Sequence, residues 1–222
     1  MFRIHKRYTG KDMARPKTNT LKVSRQLYAV SALVGLVIFA LSASFAHAHT
    51  ITGLEKQLFD FIYGWPDGLR PVFLAITQLG SAWMIIILPL VAWANRQRGL
   101  ATRLFINGFV TFILVEIIKE MVGRPRPIFL LPGVIQREAF ITGLGFPSGH
   151  TALATVMAVT LLPYLPKKHR WVAVVWIIVV GVSRVYLGVH GPLDTVGGFG
   201  LGVLIASLSC LWKPRHGRRG RA

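Results

Sequence analysis

Cysteine is nearly absent. Cys210 stands alone among 222 residues, which excludes an internal disulfide and a cysteine metal cluster. It lies near the end of an apolar run, where a packed, inert thiol is expected. Acidic residues are scarce as well, eight against 26 Lys and Arg, and no cluster of them suits magnesium. Charged residues of both signs make up only 15% of the chain, where a soluble domain carries about 25%. No internal repeat or low-complexity stretch stands out beyond a basic tail. What is abundant is apolar: 53% of residues, with a mean hydropathy of +0.52. That composition points to a membrane. The formal net charge of +18 would by itself suggest nucleic acid, so the placement of the charge decides between the two.

A helical span needs about 20 mostly apolar residues. Six stretches approach this, at 27–48, 72–94, 104–122, 148–165, 171–187 and 193–212. The fourth and fifth are short or interrupted. The basic residues sit between them in four groups: eight in 1–26, three in 96–103, three in 167–170 and five in 213–221. With six crossings all four groups fall on one side, and excess Lys and Arg mark the cytoplasmic side. Seven of the eight acids lie elsewhere, Asp12 being the exception. The positive charge is thus a topology signal, and no nucleic-acid partner is expected. The chain divides into a basic cytoplasmic lead (1–26), a six-helix membrane domain (27–212) and a basic cytoplasmic tail (213–222). Ala46-His47-Ala48 looks like a signal cleavage site, but the long lead and near-spanning length favour a retained first helix. Residues 49–70 form an outside connector that reads either as a loop or as a short amphipathic helix on the membrane.

Three segments break the apolar pattern, and all map to the outer face. The first is Lys119-Glu-Met-Val-Gly-Arg-Pro-Arg126-Pro127. The second is Pro147-Ser148-Gly149-His150. The third is Ser183-Arg184, then His190, then Asp194. Lys119, Arg126 and Arg184 bring three cations to one interface, and Arg forks match phosphate oxygens. Ser148 is a good helix N-cap, so the N–H groups of Gly149 and His150 are free to face an anion. The set describes a phosphate cradle. Asp194, four residues after His190, suits a carboxylate that orients one ring nitrogen and frees the other to attack. His150 suits a general acid and base. The cations take the charge-stabilising role that a metal takes elsewhere. Glu116 lies one turn before Lys119 and is placed to pair with Lys119 or Arg124. Arg124 is open to two readings, a second phosphate contact or a headgroup contact. His47 and His49 have no charged neighbour and carry no catalytic expectation.

In order and spacing, these segments resemble the signature of the type 2 phosphatidic acid phosphatase (PAP2) superfamily: Lys-x6-Arg-Pro, Pro-Ser-Gly-His, and Ser-Arg-x5-His-x3-Asp. Every position is filled, by Lys119, Arg126 and Pro127, by Pro147 to His150, and by Ser183, Arg184, His190 and Asp194. The resemblance implies an all-α, polytopic membrane bundle. It implies His190 as nucleophile, Asp194 as its orienter and His150 as acid/base. Lys119, Arg126, Ser148, Gly149 and Arg184 would hold the phosphate, with no metal and no cofactor. The implied partners are the lipid bilayer and a lipid phosphate substrate, dephosphorylated at the outer face of the plasma membrane. Undecaprenyl diphosphate, phosphatidylglycerol phosphate, phosphatidic acid and lipid A phosphates all remain candidates. So does transfer of the phosphate to another lipid rather than to water. An anion transporter or a vanadium haloperoxidase would share parts of the pattern but not all of it. Tail specificity is expected in apolar residues between spans, such as Phe73, Trp83, Phe140 and Phe146.

Overall fold

The structure, a computed structural model, describes residues 24–139 and 142–212. Most of the basic lead, the whole basic tail and Phe140 lie outside the described residues. Within them the fold is all helical: α1 (Arg25–Ala46), α2 (Gly53–Tyr63), α3 (Arg70–Thr77), α4 (Met84–Ala94), α5 (Arg98–Val122), α6 (Pro127–Leu130), α7 (Gly149–Leu161), α8 (Arg170–Tyr186) and α9 (Pro192–Leu211). Four helical runs are long and apolar enough to cross a membrane: Arg25–Ala46, Arg98–Leu130, Lys167–Tyr186 and Pro192–Leu211.

Two of the six expected spans differ from a straight helix. The stretch at 72–94 is broken into Asp67–Gly80 and Met84–Ala94, bent by 64°, and makes a fifth span only if the pair is counted as one. The stretch at 148–165 yields the 13-residue α7 and one 3-10 turn, Leu162–Tyr164. At 1.5 Å per residue α7 is roughly 20 Å long, short of the ~30 Å hydrocarbon layer. Every residue from Thr151 to Ala158 in α7 is buried, so it is the bundle's central helix. The outer connector is a helix, α2, rather than a plain loop. Phe59 on its inner face packs with Ile51, Leu131 and Val185, while Leu54 and Phe61 stay exposed on the outer face.

The packing is that of a membrane bundle, with many large apolar side chains on the outside and hydrogen-bonded polar ones among the apolar residues inside. Leu33, Phe45, Trp93 and Trp171 are more than half exposed. In the interior, Asn107 Nδ2 donates to Thr160 Oγ1 and to Ser209 Oγ, both at 2.9 Å. Lipid-facing apolar surface gives no drive for one helix to choose another, so close backbone approach at small residues does. The α1–α9 contact is of this kind. A Cβ on Gly35 would stand 2.7 Å from Leu204 N, and one on Gly200 would stand 2.7 Å from Phe39 N. Gly200→Val is therefore expected to destabilise the detergent-solubilised protein by ~1–3 kcal/mol, read as an earlier thermal unfolding midpoint. Gly99→Ala, which meets open space, is the control and should leave the midpoint nearly unchanged.

Candidate active site

Three helix ends converge on one cavity. α5 delivers Lys119 in its last turn and stops at Gly123, whose φ of 68° turns the chain out of the helix. α7 begins there, capped by Ser148, whose Oγ accepts from the Thr151 N–H and hydroxyl. α8 ends there with Arg184, and a short turn through His190 leads into α9, which carries Asp194 in its first turn. The cavity holds about 330 Å³. Glu116, Lys119, Arg126, Thr142, Arg184, Gly149, His150 and His190 form its polar wall, and Gly80, Ala82, Phe112, Val115 and Leu153 form its apolar wall.

The cations are fixed in different ways. Arg126 is nearly fully buried and donates to three carbonyls: Nε to Gly143 O (2.9 Å), Nη2 to Thr142 O (2.8 Å) and Nη1 to Val189 O (2.8 Å). Its Nη1 also stands 3.4 Å from His190 Nε2. Arg184 Nη1 donates to Thr77 Oγ1 and to Glu138 Oε2, both at 2.6 Å. Lys119 Nζ pairs with Glu116 Oε1 at 2.7 Å, one of the two partners expected for Glu116. Among the described residues, the N–H groups of Gly149 and His150 find no protein acceptor, which leaves two donors at the start of α7 for an anion. Ser148 is wholly buried and its hydroxyl serves the cap, so it shapes the cradle from behind the wall.

His190 is buried with its two nitrogens in different surroundings. Nε2 faces Arg126 in the cavity, and Nδ1 stands 3.5 Å from Asp194 Oδ2. Nδ1 makes no hydrogen bond of its own, and 3.5 Å is long for one, so the two groups face each other without a closed bond. Burial first, and then the charges of Arg126, Arg184 and Lys119, hold the imidazole's pKa well below the usual histidine range. The neutral ring, which carries the lone pair a nucleophile needs, therefore persists as pH falls below about 6.5. Carbethoxylation of His190 by diethyl pyrocarbonate reports the neutral form. Followed by peptide mass spectrometry between about pH 5 and 8, its rate should fall to half clearly below pH 6.5. A half-point at or above 6.5 would contradict the buried, cation-lined setting.

The family model of the PAP2 superfamily matches residues 99–218, more than half of the chain. The chain belongs to the PAP2 superfamily. It is an integral membrane phosphatase, a hydrolase of phosphate esters. Two relatives are an undecaprenyl-diphosphatase of Sulfolobus acidocaldarius and phosphatidylglycerophosphatase B of Bacillus subtilis. The first is 30% identical over 71% of this chain and 77% of that one. The second is 32% identical over 62% and 71%. Among solved structures, a transmembrane PAP2-type phosphatidylglycerolphosphate phosphatase from Bacillus subtilis superposes with a TM-score of 0.63. The two are 27% identical, and the match covers 80% of this chain and 93% of that one.

Some residues of this PAP2 phosphatase sit elsewhere than the sequence suggested. Arg124 touches neither a second phosphate position nor a headgroup. It is fully buried, on Asp194 Oδ1 at 2.8 Å and Glu55 Oε2 at 2.7 Å. Phe146 packs on Phe39 and against Gly197, and Phe73 packs on Tyr186, so both are core residues and not tail contacts. Trp83 is exposed at the kink between α3 and α4. Glu55, Thr77 and Glu138 were not singled out, and each reaches the site from a distant stretch of chain. Their only local signal is that Glu55 and Glu138 are two of very few acids in a basic protein.

Proposed function

We propose that this enzyme hydrolyses a lipid phosphate or diphosphate through a phosphohistidine on His190. The observation that carries the reading is the placement of His190 Nε2 in a cavity walled on one side by three cations and two free backbone N–H groups, and on the other by apolar side chains. The polar half suits a phosphate and the apolar half suits the first carbons of a lipid tail. In the first step the Nε2 lone pair attacks phosphorus and the bond to the leaving oxygen breaks, with His150 giving that oxygen a proton. In the second, His150 takes a proton from water as its oxygen attacks phosphorus. The N–P bond then breaks and inorganic phosphate leaves. Lys119, Arg126, Arg184 and the start of α7 stabilise the transferring group.

The names of the relatives support two substrates first, undecaprenyl diphosphate and phosphatidylglycerol phosphate. Purified protein offered a panel of lipid phosphates tests this. Release of free phosphate from one of these, without a newly phosphorylated lipid, is the expected result. A phosphorylated acceptor lipid in place of free phosphate would make the enzyme a transferase.

Six crossings with both termini in the cytoplasm remain our reading of the topology. α7 and α8 both meet the cavity, one by its first turn and the other by its last, and residues 162–169 join their far ends. That Lys167–Tyr186 is long enough to span supports reading α7 and its flanking turn as a crossing beside it. The three cations already supply charge neutralisation at the phosphate, so turnover is expected to persist in chelator. Activity that vanishes in chelator and returns with magnesium would contradict this.

A further inference from the structure

The dyad His190–Asp194 has a buried support that begins on α2, outside the residues matched by the family model. Asp194 divides its oxygens. Oδ1 accepts from Arg124 Nη1 at 2.8 Å, while Oδ2 accepts from Gly191 N at 2.7 Å and faces His190 Nδ1. The arginine thus fixes the plane of the carboxylate and leaves Oδ2 for the histidine. Arg124 is in turn clamped by Glu55, fork to fork: Nη1 to Oε1 at 3.1 Å and Nη2 to Oε2 at 2.7 Å. Its Nη2 also donates to Thr50 O at 2.6 Å. Glu55 Oε1 accepts one more bond, from Leu193 N at 3.1 Å. That N–H is in the first turn of α9, beside Asp194. Glu55 therefore braces both the guanidinium that holds Asp194 and the turn that carries it.

Charge alternates along the line: Glu55 negative, Arg124 positive, Asp194 negative. As Nε2 attacks phosphorus, positive charge grows on the imidazole, and Asp194 must balance it. A buried Arg124 with no counter-charge would draw on the same carboxylate and weaken that balance. We infer that Glu55 is a positioning residue for the reaction, acting on His190 through Arg124 and Asp194. This rests on the reading of His190 as the nucleophile.

Glu55→Gln keeps the size and most of the hydrogen bonding but removes the charge. It is expected to lower kcat by about 10- to 100-fold, the scale of a slightly misplaced reacting group, with KM little changed. A smaller folded fraction would also lower the apparent kcat at unchanged KM, so rates are taken per folded enzyme. The decisive arm is a double-mutant cycle with Asp194→Asn, measured by phosphate release. If Glu55 works through Asp194, adding Glu55→Gln to Asp194→Asn should cost no more than about 2-fold, the margin of additivity for independent sites. Equal losses in both backgrounds, or no loss in the parent, would overturn the inference. If the glutamine variant does not fold, Glu55→Asp enters the same cycle and is judged by the same outcomes. Asp60→Asn, on the half-exposed Lys56–Asp60 pair of the same helix, is the control and should stay near parent activity. His190→Ala in the same assay separates the two claims. Turnover that survives in it refutes the nucleophile assignment, whatever the cycle gives.

Discussion

His190→Ala is expected to lose turnover by on the order of 10⁴-fold or more, because in the proposed mechanism it removes the group to which the phosphoryl is transferred. The cradle should survive the change. Arg126 is held by the carbonyls of Thr142, Gly143 and Val189, and Arg184 by Thr77 and Glu138, none of which needs the imidazole. Binding of inorganic phosphate or of a lipid phosphate should therefore stay close to that of the parent while kcat collapses. Comparing kcat with the dissociation constant of a lipid phosphate checks this. A variant that binds and still turns over within ~10-fold of the parent would move the chemistry away from His190.

The second large effect separates the two histidines by their leaving groups. An alkoxide or phosphate leaving group needs a proton as its bond breaks, and in the proposed mechanism His150, which lines the cavity, gives it. With a lipid substrate, His150→Ala is expected to lose roughly 10²–10⁴-fold in kcat. A phenolic leaving group of low pKa departs without that help, so with an aryl phosphate the first step should be nearly spared. The second step should stay slow, because the water that attacks the phosphohistidine has lost its base. A burst of phenol followed by slow turnover is the expected time course. Equal losses with lipid and aryl substrates would deny His150 the acid's role.

Most of the site could be read from the sequence because its residues lie close in the chain. Lys119 and Arg126 are separated by one helix end, and His190 and Asp194 by one turn. Spacing of that kind survives folding. The support behind the site could not be read in the same way. Glu55 reaches Arg124 across 69 residues, and Arg184 meets Thr77 across 107. Nothing local in α2 distinguishes Glu55 from a surface acid. Arg124 and Arg126 are equally charged and two residues apart, where an extended chain would put them on one face, yet Arg124 lies behind the dyad and Arg126 faces the cavity.

The spans show the same division. Long lipid-facing helices such as α1 and α5 follow from length and hydropathy alone. The break at Gly80-Ser81 does not, because the few polar or small residues Thr77, Gln78, Gly80 and Ser81 are too short an interruption to end an apolar run by hydropathy alone. Close packing accompanies the break: a Cβ at Gly80 would stand 2.6 Å from the His150 carbonyl. Nor does hydropathy tell α7 from its neighbours, since a buried interior helix is as apolar as a lipid-facing one.

The most direct test of the central claim is the identity of the phosphorylated residue. His150→Ala is mixed with an aryl phosphate labelled at phosphorus, quenched in base during the slow phase, digested and mapped. The expected result is one labelled peptide, with phosphate on His190, labile to acid and stable to base. Label on any other residue would contradict the assignment of the nucleophile. So would the absence of label while the variant still hydrolyses the substrate, since water would then be attacking phosphorus directly.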